Sequence, residues 1–188
     1  MANTDAPNGF TPIRHLTGGT IRMEEMPIVK ETAAAIYSGD LLLANASGYV
    51  NVAAAGTTAA IVGVFAGCKY TNPQGQIVYS KYWPAAQATL NDADAVAYVY
   101  SDPNIVFSVQ TSGTAAKADN GKWIDMEDGG GSTSTGRSGQ EANENATSTV
   151  VLRQLGLVKR AGNDWGLNAE IEVTIALHAR TAAAGATV

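Results

Sequence analysis

Residues 131–138 read Gly131-Ser-Thr-Ser-Thr-Gly136-Arg137-Ser138, the spacing of a phosphate-binding loop with Arg in place of Lys. That loop works when a buried strand precedes it and a helix follows, so that backbone amides and the helix dipole converge on phosphate. Here Asp125-Met-Glu-Asp128 precedes it and places carboxylates where an anion would bind. Gln140-Glu-Ala-Asn-Glu follows with no apolar helical face. The run therefore reads as a flexible loop. His15 and His178 are the two histidines, and no Gly-x-Ser-x-Gly elbow accompanies them, so both read as exposed and non-catalytic. Cys68 ends an apolar stretch and reads as a buried, inert thiol. Asp125, Glu127 and Asp128 lack the alternating oxygen ligands and fixed Gly of a calcium loop and read as a solvated acidic turn. Asp92 and Asp94 read as turn residues. The expectation is a protein that is not an enzyme, with no cofactor and no metal.

The elements that position these residues are set by an unusual composition. Of 188 residues, 45 % are hydrophobic, but 32 of those are Ala, and Gly adds another 20. Only 15 % are charged, against roughly a quarter in an average soluble protein. This excludes a coiled coil, and the abundance of apolar strands excludes a disordered acidic tail. The 12 basic residues are scattered, the net charge is −5 and the pI is near 4.9, which argues against a nucleic-acid surface. One cysteine forbids an intrachain disulfide, and one Cys with two His is too few for a structural zinc site. The first residues lack the basic start and apolar run of a signal peptide, and no run reaches a membrane-spanning length. A soluble protein made in a reducing cytoplasm is expected, with no membrane partner.

Residues 1–20 carry Pro7, Gly9, Pro12, Gly18 and Gly19, which resist helix and sheet, and read as an extended arm. Phe10, Ile13 and Leu16 are its sizeable apolar residues and read as anchors. From residue 21 to 180 short strands alternate with turn residues. Thr20–Val29 contains Pro27, which predicts an edge strand. Ala35–Tyr37, Leu41–Ala44 and Tyr49–Ala53 follow, separated by Ser38-Gly39-Asp40 and Asn45-Ala46-Ser47-Gly48. Ala60–Cys68 is apolar on both faces and carries Gly63 and Gly67, which predicts a fully buried strand with close backbone neighbours. Gln76–Trp83, Ala95–Tyr100 and Asn104–Gln110 come next. Residues 111–146 are too long for an ordinary connection and read as a functional or mobile excursion, with Trp123 and Ile124 forming one anchored strand. Thr149–Val158 and Asn168–Ala179 are the last strands. In the latter Ile171, Val173, Ile175 and Leu177 alternate with polar or small residues, placing His178 on the solvent face. Residues 181–188 read as a flexible tail. No Ala-rich stretch has an i, i+3, i+4, i+7 stripe. The fold class is all-β: a short-stranded β-barrel or sandwich with an extended N-terminal arm and a long Gly/Ser/Thr-rich loop.

Tyrosine outnumbers phenylalanine seven to three. Tyr and Trp suit interfaces, since they combine a large contact area with a polar handle. On that ground Tyr82, Trp83 and Trp165 are candidates for an oligomer interface.

Several blocks together resemble one family. Ala2-Asn-Thr-Asp-Ala-Pro-Asn-Gly-Phe-Thr-Pro-Ile-Arg-His-Leu-Thr-Gly-Gly19 looks like the N-terminal arm of head decoration (cement) proteins of tailed bacteriophages. Gly39-Asp40-Leu-Leu with Ile61-Val-Gly-Val-Phe-Ala-Gly67 is similar to that family's early strands. Asp102-Pro103-Asn-Ile-Val-Phe-Ser-Val-Gln110 and Gly166-Leu-Asn-Ala-Glu-Ile-Glu-Val173 resemble its later blocks. Order and spacing carry the likeness, which covers most of residues 1–180. The resemblance implies a non-enzymatic virion protein on the outer capsid surface that bridges major capsid protein subunits. It implies a homo-oligomer, a trimer favoured over a dimer. It also implies an arm that lies along the shell, with Phe10, Ile13 and Leu16 in grooves between capsid subunits and Arg14 on acidic rims. Two alternatives stand beside it. One is another phage part, such as a head fibre or tail tube. The other is a carbohydrate-binding β-sandwich using exposed Trp83 and Trp165.

Overall fold

The computed structural model describes residues 3–29, 32–91, 95–145 and 150–181. The expected turn at Asp92 and Asp94 and most of the tail, residues 182–188, lie outside the described residues. Among the described residues eighteen short strands follow one another, joined by turns and one short 3-10 helix, Lys117–Asp119. The first half holds β1 (Thr11–His15), β2 (Glu24–Pro27), β3 (Ile36–Tyr37), β4 (Leu41–Ala44), β5 (Val50–Val52), β6 (Ile61–Thr71), β7 (Ile77–Ser80), β8 (Tyr82–Trp83) and β9 (Val96–Tyr100). The second half holds β10 (Ile105–Gln110), β11 (Thr114–Ala115), β12 (Trp123–Glu127), β13 (Gly131–Ser132), β14 (Arg137–Ser138), β15 (Glu141–Asn143), β16 (Leu152–Leu157), β17 (Gly166–Leu167) and β18 (Glu170–Ile175). The protein is all-β, as its alternation and turn spacing predict.

Two large antiparallel sheets form the body. One runs β1-β10-β18-β16-β12-β15; the other runs β2-β9-β6-β4-β5, with β7 added to β6. The sheets pack face to face as a sandwich, and among the described residues no barrel closes. The Pro27 strand is the edge of the second sheet, where a missing N–H removes no ladder bond.

The cores explain why Ala60–Cys68 is apolar throughout. Ile61 and Val64 of β6 join Phe107, Ile171 and Val173 in a core shared by both sheets. Phe65, Cys68 and Tyr70, on the same strand, enter a second core with Ile28, Ile36 and Trp83 on the far side of the second sheet. Neighbouring residues of β4 split the same way, Leu41 into the first core and Leu42 into the second. At Gly63 a Cβ would overlap the carbonyl oxygen of Tyr100, so the close backbone approach requires glycine.

Three expectations change. Residues 111–146 are not an excursion: β12 and β15 complete the first sheet, and Ile124 and Met126 are in its core. The Gly-Ser-Thr run is a folded hairpin, with Gly131 opposite Ser138 and Ser132 opposite Arg137. Its glycines are needed for packing, since a Cβ on Gly131 would overlap the Tyr37 ring. Finally, the N-terminal segment is extended but docked. Phe10 is 2 % exposed inside the shared core, and β1 pairs with β10.

Candidate functional site

The segment from Asn3 to Gly19 is built onto the body stepwise. The Asn3 side-chain amide donates to the carbonyls of Asp164 and Leu167, at 2.8 and 2.9 Å. The Ala6 N–H donates to Gln110 Oε1 at 2.9 Å. At Gly9 the backbone adopts φ +66°, and a Cβ there would lie 2.7 Å from the Gly39 carbonyl oxygen, so only glycine lets the chain pass so close. The next N–H, that of Phe10, donates to that same carbonyl at 2.9 Å, and the ring drops into the core. Burying a Phe contributes about 2–3 kcal/mol, enough to hold a short segment in place.

β1 then forms the outer edge of the first sheet. Its register slips between Pro12, opposite Phe107, and Arg14, opposite Val106, leaving Ile13 as the extra residue of a bulge. Ile13 and Leu16 are 38 % and 49 % exposed. A bulge together with Pro12, which has no N–H, blunts edge-to-edge strand pairing. The edge therefore offers apolar side chains rather than a free ladder. The turn that follows is organised by His15. Its Nδ1 accepts from the N–H groups of Thr17 and Gly19, at 3.3 and 3.2 Å, which assigns the proton to Nε2. Nε2 donates to Asp102 Oδ2 at 3.1 Å. The Asp102 carboxyl is held below its ordinary range by the Asn104 N–H first and by His15 second. The sequence places His15 as an exposed residue; its side chain is only 7 % exposed, because this turn folds around it.

The remaining expected positions are distributed as follows. Arg14 pairs with Glu172 at 2.6 Å on the outer face of the sheet. Trp83 is fully buried, its Nε1–H donating to Thr32 Oγ1 at 3.2 Å and its ring edge-on to Tyr70. It cannot form an oligomer interface or a sugar platform, because β8 directs it into the second core. Tyr82, its neighbour on the opposite face, is half-buried and stacks on Tyr37 with ring centres 5.7 Å apart. Trp165 is half-buried and shares a surface groove with Arg14. The geometry thus brings Ile13 and Leu16 together along one edge, Arg14 and Trp165 along one groove, and removes Phe10 and Trp83 from the surface.

No family model, curated protein or solved structure matches the chain.

The polar residues weighed for chemistry serve the fold. Asp125 is buried rather than solvated; its carboxylate accepts from the N–H groups of Gly56 and Met126. Asp128 accepts from the Ala55 N–H, and Glu127 accepts from the Ser112 hydroxyl. The hairpin at 131–138 is followed by a strand, not a helix, so its amides do not converge as a phosphate loop requires. His178 is buried, not solvent-facing. β18 ends at Ile175, and the chain then bridges to Ile61, so the two-residue alternation no longer sets its direction. Burial first, and Arg180 second, lower its pKa, and its Nδ1 accepts from the Arg180 N–H. Cys68 is buried as expected, its thiol pushed up to about 12 by desolvation.

Sequence reasoning missed Lys117, Leu155, Leu157 and Lys159, which line the groove with Trp165. They come from segments far apart in the chain, and no local pattern marks them.

Proposed function

We propose that this chain is a virion structural protein that binds the outer surface of a tailed-phage capsid and stabilises the shell by bridging major capsid protein subunits. Its site of action is the virion exterior, after synthesis in the host cytoplasm. The ordered sequence blocks that resemble head decoration proteins support this reading, as does the all-β sandwich. The observation that carries it is the β1 edge, where an extended N-terminal segment presents Ile13 and Leu16 to solvent beside a rigid sheet. Phe10 anchors the segment and Ile13 and Leu16 make the contact. Because the segment is already ordered, less conformational entropy is lost on binding than for a free arm. Many copies on a repeated lattice, with a trimer favoured as the unit, raise the effective affinity further.

Cryo-electron microscopy of purified virions containing this chain tests the reading. Density for the sandwich on the outside of the head, with residues 13–16 against capsid protein, is the expected result. Density inside the tail or in a projecting fibre would replace it with the other structural assignment. Particles assembled with Ile13→Asp/Leu16→Asp protein should carry far fewer copies per head.

A further inference from the structure

β12 runs beside β16 only at Leu152 and Arg153. The last links between the two segments are the Gly121 N–H donating to the Gln154 carbonyl and the Gln154 N–H donating to the Lys122 carbonyl. Before Gly121 the chain turns through the 3-10 helix Lys117–Asp119, so β12 does not continue along Leu155–Leu157. Among the described residues no strand takes that lane; β16 pairs there only with β18 on its other side. The 3-10 segment itself packs beside β16 there, and a groove of about 590 Å³ lies over the outer face of the sheet, bounded by Lys117 and Asn120 on one side and by Glu172 of β18 and Arg14 of β1 on the other. Leu155, the bulge residue of β16, and Leu157 line it together with Trp165. Space above Gly156 is open, with nothing within 4 Å of where a Cβ would stand.

The charge around this groove opposes that of the whole chain. Lys117 and Lys159 are exposed at the groove, and neither has an ion-pair partner among the described residues. The single carboxylate lining it, Glu172, is already matched by Arg14. The chain carries −5 overall, so an excess of positive charge here is local and directional.

We propose that this groove is a docking site for an extended acidic segment of another protein that also carries apolar side chains. The segment lies extended along the groove, across Gly156 on the outer face of β16. Its apolar side chains rest over Gly156 against Leu155, Leu157 and Trp165, and its carboxylates meet Lys117 and Lys159. The groove reaches Arg14 of β1 but includes neither Ile13 nor Leu16, and the inference stands whether or not the chain decorates a capsid.

The test is a fluorescence-anisotropy titration of the full chain with a fluorescein-labelled peptide, Asp-Leu-Glu-Phe-Asp-Leu-Glu, and with its Asn/Gln analogue. The acidic peptide should bind at least ten-fold more tightly than the analogue. Lys117→Glu/Lys159→Glu should weaken it at least ten-fold. Gly156→Leu, which fills open space, should block it while circular dichroism stays native. If Gly156→Leu fails to fold, the charge reversal alone decides. Equal binding of the two peptides, or undiminished binding by the charge-reversed protein, overturns the proposal. So does a groove occupied by a second copy, seen as an oligomer that Lys117→Glu/Lys159→Glu dissociates while the peptide fails to bind. Head-surface density can be lost without altering this titration, so the two readings fail separately.

Discussion

The two large sheets use the same antiparallel ladder for different ends. The middle of the second sheet is covered on both faces, and β6 there is apolar in nearly every position, while the flanking strands β2 and β7 carry exposed residues. The first sheet buries one face against it and turns the other to solvent, where Arg14 pairs with Glu172 and Arg160 with Glu170. Strands with two dry faces have little surface to vary and act as a scaffold. A sheet with one wet face can place charge, a bulged edge and a groove without disturbing the core. Both candidate surfaces, the β1 edge and the groove over Gly156, belong to the second kind.

This contrast can be broken most severely at Ile175. It lies on the inner face of β18 and is 5 % exposed, so Ile175→Asp puts a carboxylate into the core shared by the sheets. We expect a loss of about 4 kcal/mol or more, seen as insoluble or unfolded protein; a folded, soluble product would overturn the register of β18. Phe10 is next. Phe10→Ala should cost about 3–5 kcal/mol in urea unfolding, because it leaves a cavity between the sheets. A change under 1 kcal/mol would mean that the N-terminal segment is a detachable arm after all.

Asp40 sharpens the comparison through pH. It sits in the turn before β4, 3 % exposed, accepting from the Tyr37 N–H, and burial pushes its carboxyl up to about 6. Its folded pKa is thus above the unfolded value near 3.8. Between those values the unfolded chain releases the proton while the folded chain keeps it, so stability falls as pH rises from about 4 to about 6 and is then level. The loss is roughly 3 kcal/mol for two pH units of separation. Asp40→Asn should flatten that slope in denaturation curves taken across the window. An unchanged slope would assign the dependence elsewhere, to Glu144, which burial raises to about 7, or to Glu141, which burial also raises.

Much of the strand order was legible because period-two alternation and turn residues are local. Ile171, Val173 and Ile175 face the core as their spacing predicts, and Gly63 marks a close approach. The failures share one physical cause. Phe10 looks like a surface anchor because nothing within twenty residues shows that Gly39 receives the N–H beside it. Trp83 looks available because alternation in a two-residue strand cannot say which of Tyr82 and Trp83 points inward. His178 looks exposed because the strand pattern ends three residues earlier. The Gly-Ser-Thr run looks loose because its packing partner, Tyr37, is almost a hundred residues away.

The sequence by itself determined that the chain is all-β, acidic, charge-poor and divided by turns, since composition and short-range periodicity dictate those properties. Its ordered blocks also supplied the family likeness on which the functional proposal rests. Only the tertiary structure decided which apolar residues are core and which remain outside. It folded β12 and β15 into the first sheet and assembled the groove from Lys117, Leu155, Lys159 and Trp165. Burial and convergence depend on pairings between strands far apart in the chain, and no local pattern encodes where a distant strand will end.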